Sequence, residues 1–88
     1  MKKFTTKSGF SIELDEEAFD DLEFVEVLAE VDDNVLLVPK VIKMILGEEG
    51  KKALYDHVRD DKGRARASKA IEEFKEIMEL AGEGGKNS

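Results

Sequence analysis

Phe10-Ser11-Ile12-Glu13-Leu14-Asp15-Glu16-Glu17-Ala18 changes its hydrophobic period at one residue. Phe10, Ile12 and Leu14 fall on one face and Ser11 and Glu13 on the other, the period-two pattern of a half-buried strand. Asp15 then offers a helix N-cap, and Glu16 and Glu17 complement the positive end of a helix dipole. Upstream, Phe4-Thr5-Thr6 has the composition of a second strand, and Lys7-Ser8-Gly9 that of a short turn in which Gly9 supplies positive φ. Residues 2–14 are therefore expected to form a hairpin. A lone hairpin is marginal in water, so its apolar face must cover something.

The remainder of the chain reads as helical. A first helix is expected from about Glu16 to Val31, with two apolar rows: Ala18, Leu22, Val25, Ala29 and Phe24, Val27, Leu28, Val31. Asp32-Asp33-Asn34 breaks it. A second helix, roughly Val35 to Leu46, is the most apolar part of the chain; Pro39 fits only in its first turn, where a missing N–H costs nothing. Gly47 ends it. A third helix is expected over about Glu48 to Asp60, burying Leu54 and Val58, followed by a loop at Asp61-Lys62-Gly63. Ser68 is expected to cap a fourth, Lys69 to Ala81, with Ala70, Ile71, Phe74, Ile77, Met78 and Ala81 at helical spacing. The fold class is thus α+β: an N-terminal β-hairpin packed on a small bundle of three to four α-helices. A single domain spans 1–81, and 82–88 form a disordered C-terminal tail.

The composition narrows the function. The chain has 88 residues and no cysteine, which excludes disulfides, thiolate metal sites and a cysteine nucleophile, and favours life inside a cell. The Met1-Lys2-Lys3 start leads into no apolar signal region, and the longest apolar stretch, Val35 to Leu46, falls short of the ~20 residues of a membrane span. A soluble protein with no membrane contact is expected. Fourteen Lys and Arg stand against 21 Asp and Glu, a net charge of −7, which argues against nucleic acid as a partner. The acids are concentrated: residues 13–33 hold eleven carboxylates and no base. Residues 62–69 are locally basic through Lys62, Arg64, Arg66 and Lys69, but no aromatic residue is interleaved among them.

Catalytic chemistry finds little to use. His57 is the sole histidine, and its neighbours Asp56, Arg59 and Asp60 read as a solvated helix face. The acidic run lacks the alternating loop that holds calcium, and no glycine-rich phosphate loop leads into a helix. No catalytic residue, cofactor or metal ligand is expected. What remains is surface. The second helix and the C-terminal half of the first carry more aliphatic area than a monomer this small readily hides, so self-association or a protein partner is expected there. Leu28, Val31, Leu36, Val41 and Ile45 are the candidates for that contact. On pattern alone, the alternative that the fold consumes this whole surface stands level with it.

The order of these features resembles a known family. A basic hairpin leads into Ile12-Glu13-Leu14-Asp15-Glu16-Glu17-Ala18 and Leu22-Glu23-Phe24-Val25-Glu26-Val27-Leu28-Ala29-Glu30. Next come an acidic break at Asp32-Asp33, an aliphatic helix ending Met44-Ile45-Leu46-Gly47-Glu48-Glu49, His57-Val58-Arg59-Asp60, and Ala67-Ser68 opening an amphipathic helix. This arrangement, over about residues 5–81, is similar to the small tail assembly chaperones of long-tailed bacteriophages and prophages of Gram-positive bacteria. The resemblance implies a non-enzymatic protein of the host cytoplasm that binds the aggregation-prone tape-measure protein, helps tail-tube subunits assemble around it and is left out of the virion. It also implies a longer companion made by frameshifting. Gly85-Lys86-Asn87 is compatible with the slippery codons GGA AAA AAC, and equally with an ordinary polar terminus. A reading from another class is an acidic DNA mimic or other small phage inhibitor or regulatory binding protein. Its carboxylates would spread over one elongated face, whereas these crowd into one helix and its flanks.

Overall fold

The computed structural model describes residues 1–86, with side chains through Ala81. The expected hairpin is present. Strands β1 (Lys2–Thr5) and β2 (Ser11–Leu14) pair antiparallel, with Phe4 opposite Ile12 and Lys2 opposite Leu14. The turn is closed by Thr6 N–H donating to Phe10 O (2.9 Å) and Gly9 N–H donating to Thr6 O (3.0 Å). Gly9 has φ 96°, the left-handed region that a side chain disfavours. Phe4, Phe10 and Leu14 are buried on one face, as the alternation requires.

The first expected helix is corrected to two pieces. Glu16–Asp20 forms a 3₁₀ turn, and α1 runs only from Leu22 to Val31. Two aspartates compete to start a helix in this stretch. Asp15 Oδ1 accepts from Glu17 N–H at 3.0 Å, and Asp21, in extended conformation, accepts from Glu23 N–H at 2.8 Å. A side chain that caps its own downstream backbone breaks the ladder before it, so Asp21 opens α1 and closes the 3₁₀ turn. Phe19 stays useful across the break, edge-on to Phe24 with ring centroids 6.0 Å apart.

Asn34 repeats the device, its Oδ1 accepting from Leu36 N–H at 3.1 Å to start a 3₁₀ turn over Val35–Leu37. Helix α2 then runs from Val38 to His57, with Pro39 in its first turn. The second and third expected helices are thus one element with a sharp interruption: Gly47 has φ 73° and ψ 178° inside it. Those angles lie in a region essentially reserved for glycine, so Gly47 ends one helical segment and begins the next without a connecting loop. Beyond α2 the chain turns through residues 58–66. Asp60 Oδ1 accepts from Lys62 N–H (2.9 Å) and Arg64 N–H (3.0 Å), and Arg66 N–H donates back to Val58 O at 3.1 Å.

Helix α3 runs from Ala67 to Lys86. It therefore starts two residues before the expected Lys69, with Ser68 inside its first turn, and Gly82 does not end it. The disordered tail expected over 82–88 concerns residues whose side chains lie outside the described set, and Asn87, on which the frameshifting expectation falls, lies outside it altogether.

The centre of the core is Ile42, Leu54, Ile77 and Val41, which are fully buried. The hairpin adds Phe4, Phe10 and Leu14, α1 adds Phe24, and α3 adds Ala70 and Phe74. The hairpin closes over α3 on one side and over α2 on the other. At the α2 crossing, Gly50 admits the Ile12 side chain so closely that an added Cβ would stand 2.9 Å from Ile12 Cδ1. No helix among the described residues is long and apolar enough to cross a membrane.

Candidate functional site

Two apolar grooves adjoin on the side of the bundle away from the hairpin turn. The first, about 210 Å³, lies between the end of α1, the start of α2 and the middle of α3; Leu28, Val31, Val41, Phe74 and Met78 line it, and Asp32 and Lys75 edge it. The second, about 330 Å³, lies between the Val35–Leu37 turn, the start of α2 and the start of α3; Leu36, Pro39, Ile42, Tyr55 and Ala70 line it. Val38 and Ile71 belong to both and form the saddle between them. A closed apolar cavity of about 150 Å³ already admits a benzene ring, so each groove has room for a large side chain.

The local sequence explains why these grooves stay open. The Asn34 cap and Pro39 hold Val35 and Leu36 on a 3₁₀ turn that projects from the bundle, leaving them 65% and 82% exposed. Of the α3 residues that line the second groove, Ala67 and Ala70 are small, and only Ile71 is large. Singly exposed aliphatics are ordinary, but two adjacent ones beside two apolar grooves form a patch.

The expected contact residues divide accordingly. Leu28 and Val31 line the first groove and are half-buried, and Leu36 stands exposed at the second. Val41 forms the floor of the first groove at only 1% exposure. Ile45 belongs to the core at 8% and lines neither groove. Val41 and Ile45 are therefore corrected from surface anchors to core residues. They sit on the face of α2 that α1 and α3 cover, and an all-round aliphatic helix gives no sign of which face that is.

The first groove is edged by one charge of each sign, Asp32 and Lys75, and the second by none. Of the eleven carboxylates in 13–33, only Glu16 forms an ion pair among the described residues, with Lys2 at 3.8 Å. Along α1, Glu23, Glu26 and Glu30 share a recess with Val27 on the face turned away from Leu28, Asp32 and the first groove. The basic stretch 62–69 is partly neutralised: Asp60 Oδ2 lies 3.8 Å from Arg66 Nη1. The Arg64 backbone N–H, with that of Lys62 and the Arg66 charge, holds the Asp60 carboxyl below its ordinary value.

A second polar constellation was not visible in the sequence. Glu73 on α3, buried to 9% exposure, accepts from Thr6 Oγ1 at 2.7 Å and from Ser8 Oγ at 2.8 Å. His57 Nε2 lies 2.9 Å from Ser8 Oγ and 4.0 Å from Glu73 Oε1, and its ring packs on Phe10 with centroids 5.3 Å apart. Serine, histidine and a carboxylate thus meet, so the protons have to be traced. Each hydroxyl has one proton and both are given to Glu73, so Ser8 accepts from His57 Nε2–H. A hydrolytic triad needs the reverse: serine donating to the ring, and the carboxylate on the ring's other nitrogen. The cluster instead ties the hairpin turn to the end of α2 and to α3, and Lys7 N–H adds a bond to Glu76 Oε2 at 2.7 Å. His57 is thereby anchored rather than merely solvated. Among the described residues, no group of three or more histidines and carboxylates converges in a way that would hold a metal ion.

Comparison of the chain with protein-family models, with curated proteins and with solved structures finds no match.

Proposed function

We propose that this chain is a non-enzymatic binding protein that shelters an apolar helical client, in the manner of the tail assembly chaperones it resembles. The client in that reading is the tape-measure protein of a long-tailed phage. The chain keeps it soluble while tail-tube subunits assemble around it, acts in the cytoplasm of the bacterial host and does not remain in the virion. The observation that supports this best is the pair of adjoining grooves with Val35 and Leu36 exposed at their edge. An amphipathic helix offers aliphatic anchors at i, i+3, i+4 and i+7, and a groove between helices is the usual way to receive them. The net charge of −7 serves the same end, since a complex with an aggregation-prone client stays dispersed only if it repels its copies.

The test is co-expression with fragments of a tape-measure protein. Recovery of the fragments in the soluble fraction, co-purifying with this chain, is the expected result. Fragments that aggregate equally with and without the chain would reject the function.

A further inference from the structure

Of the two apolar rows on α1, the fold uses only one. Phe24, Val27, Leu28 and Val31 pack toward the bundle, whereas Leu22 and Val25 stay 78% and 47% exposed, with Ala29 exposed in line with them. We propose that this outer row is a docking surface of its own, and that it pairs with a basic amphipathic helix of a partner protein lying alongside α1. None of its three residues lines either groove, so the surface is separate from the one proposed for the client.

Spacing sets the shape of the partner. Leu22, Val25 and Ala29 stand at i, i+3 and i+7, the a and d positions through which one helix seats another in a coiled coil. Singly exposed aliphatics need no partner, but three in line over about two turns present one continuous ridge.

Charge sets its sign. At about 100° per residue, Glu26 follows Leu22 by about 40° around α1, with Glu30 at about 80° and Glu23 at about 100°. The three acids therefore border the row on one flank, where they share a recess with Val27, while Leu28 on the other flank turns into the first groove. None of the three forms an ion pair among the described residues, and residues 13–33 contain no base. Glu26 takes the e position, from which a side chain meets the charges of the facing helix. A helix bearing lysine or arginine beside its apolar stripe thus finds opposite charge along the seam, which speeds its association and selects it over acidic competitors.

The same flank disfavours other occupants. In an antiparallel pairing of α1 with a second copy, Glu26 would face its own counterpart, and like charges juxtaposed cost stability. An anionic membrane surface would be repelled for the same reason.

The test uses the whole chain and labelled helical peptides of about five turns (~18 residues), followed by fluorescence anisotropy. One peptide carries leucine at its a and d positions and lysine at e and g. A second carries glutamate at e and g, and a third has the composition of the first in scrambled order. The lysine peptide is expected to bind, with affinity falling as salt is raised, and the other two are not. Leu22→Ser should weaken binding about tenfold, as loss of an anchor does, while Leu22→Met keeps an apolar side chain and should stay within about twofold of wild type. Glu26→Lys with Glu30→Lys should lose the lysine peptide and gain the glutamate peptide, an exchange of preference that a damaged fold does not produce. Leu36→Ser, at the second groove, should change nothing. All these positions are exposed, and circular dichroism of each variant checks that the fold is kept.

Equal binding of the three peptides, or a lysine-substituted variant that keeps the wild-type preference, would overturn the proposal. So would binding lost in Leu36→Ser and kept in Leu22→Ser, which assigns the peptide to the grooves and leaves the proposed client untouched. A peptide-free dimer in sedimentation that Leu22→Ser dissociates would overturn it too, since the row then belongs to a second copy. If the exchange of preference is seen while tape-measure fragments still aggregate, the α1 surface stands and the client is wrong.

Discussion

Truncating Glu73 to alanine removes the acceptor that two hydroxyls of the hairpin turn depend on. Thr6 is 4% exposed and gives its proton to Glu73 Oε1 at 2.7 Å; Ser8 is exposed and gives its own at 2.8 Å. A hydrogen bond to a charged group contributes about 1.5–3 kcal/mol, and a buried donor left without an acceptor costs about 1–3 kcal/mol. Water replaces the carboxylate for Ser8, so its share is small. Thr6 is partly rescued by Ser8 Oγ, which stands 3.2 Å away, and the desolvation of the buried carboxylate is relieved. The net loss expected for Glu73→Ala is therefore about 1–3 kcal/mol. Glu73→Gln keeps a carbonyl oxygen for both hydroxyls and should cost less than about 1 kcal/mol. Urea denaturation followed by circular dichroism measures both. With a denaturant slope of about 1 kcal/mol/M for a small domain, the alanine midpoint should fall by about 1–3 M. Hydrogen exchange should speed up first at the hairpin-turn amides. An alanine variant within about 0.5 kcal/mol of wild type would refute the reasoning. So would a glutamine variant as damaged as alanine, because the attraction between Glu73 and His57 would then be holding the turn.

Backbone angles and charge lead to two more outcomes. Gly47→Ala should destabilise by about 1–3 kcal/mol in the same denaturation experiment, purely through its backbone angles, because an added Cβ meets nothing within 4 Å. Asp60, with its carboxyl held below its ordinary value of 3.8, favours folding above that pH, and the contribution is lost as pH falls through the lower folded value. Melting temperatures at neutral and acid pH should consequently differ less for Asp60→Ala than for wild type.

The parts of the fold that sequence reveals are those where one residue carries the instruction. Gly9 and Gly47 each sit at a positive φ that the pattern around them demands, and Pro39 limits how early α2 starts. The break before α1 was hidden because Asp20-Asp21 lies within an unbroken helical spacing. Only the competition between the Asp15 and Asp21 caps splits it. The site was legible in part. That α1 and α2 carry surplus aliphatic surface is written in their composition, and Leu28, Val31 and Leu36 do lie at the grooves. Which face of α2 is covered depends on where α1 and α3 land, so Val41 and Ile45 were misplaced. The Ser8–His57–Glu73 cluster was beyond reach for a simpler reason. Its members are 49 and 65 residues apart from Ser8, and no local pattern links a turn to positions so distant.

That distance also sets a clock. The hairpin leaves the ribosome before the helices, yet Glu73, which holds its turn, is made 65 residues after Ser8. At a synthesis rate of about 5–20 residues per second, roughly 3–13 s pass between the two. Throughout that interval Phe4, Phe10 and Leu14 have no α3 to cover them, and a two-stranded ribbon is marginal alone. Nascent chains halted once the hairpin has emerged and before Glu73 is made thus offer proteases and aggregation partners an open sheet face. The cell's yield of this protein should depend on the codon speed of that stretch as much as on the stability of the finished fold.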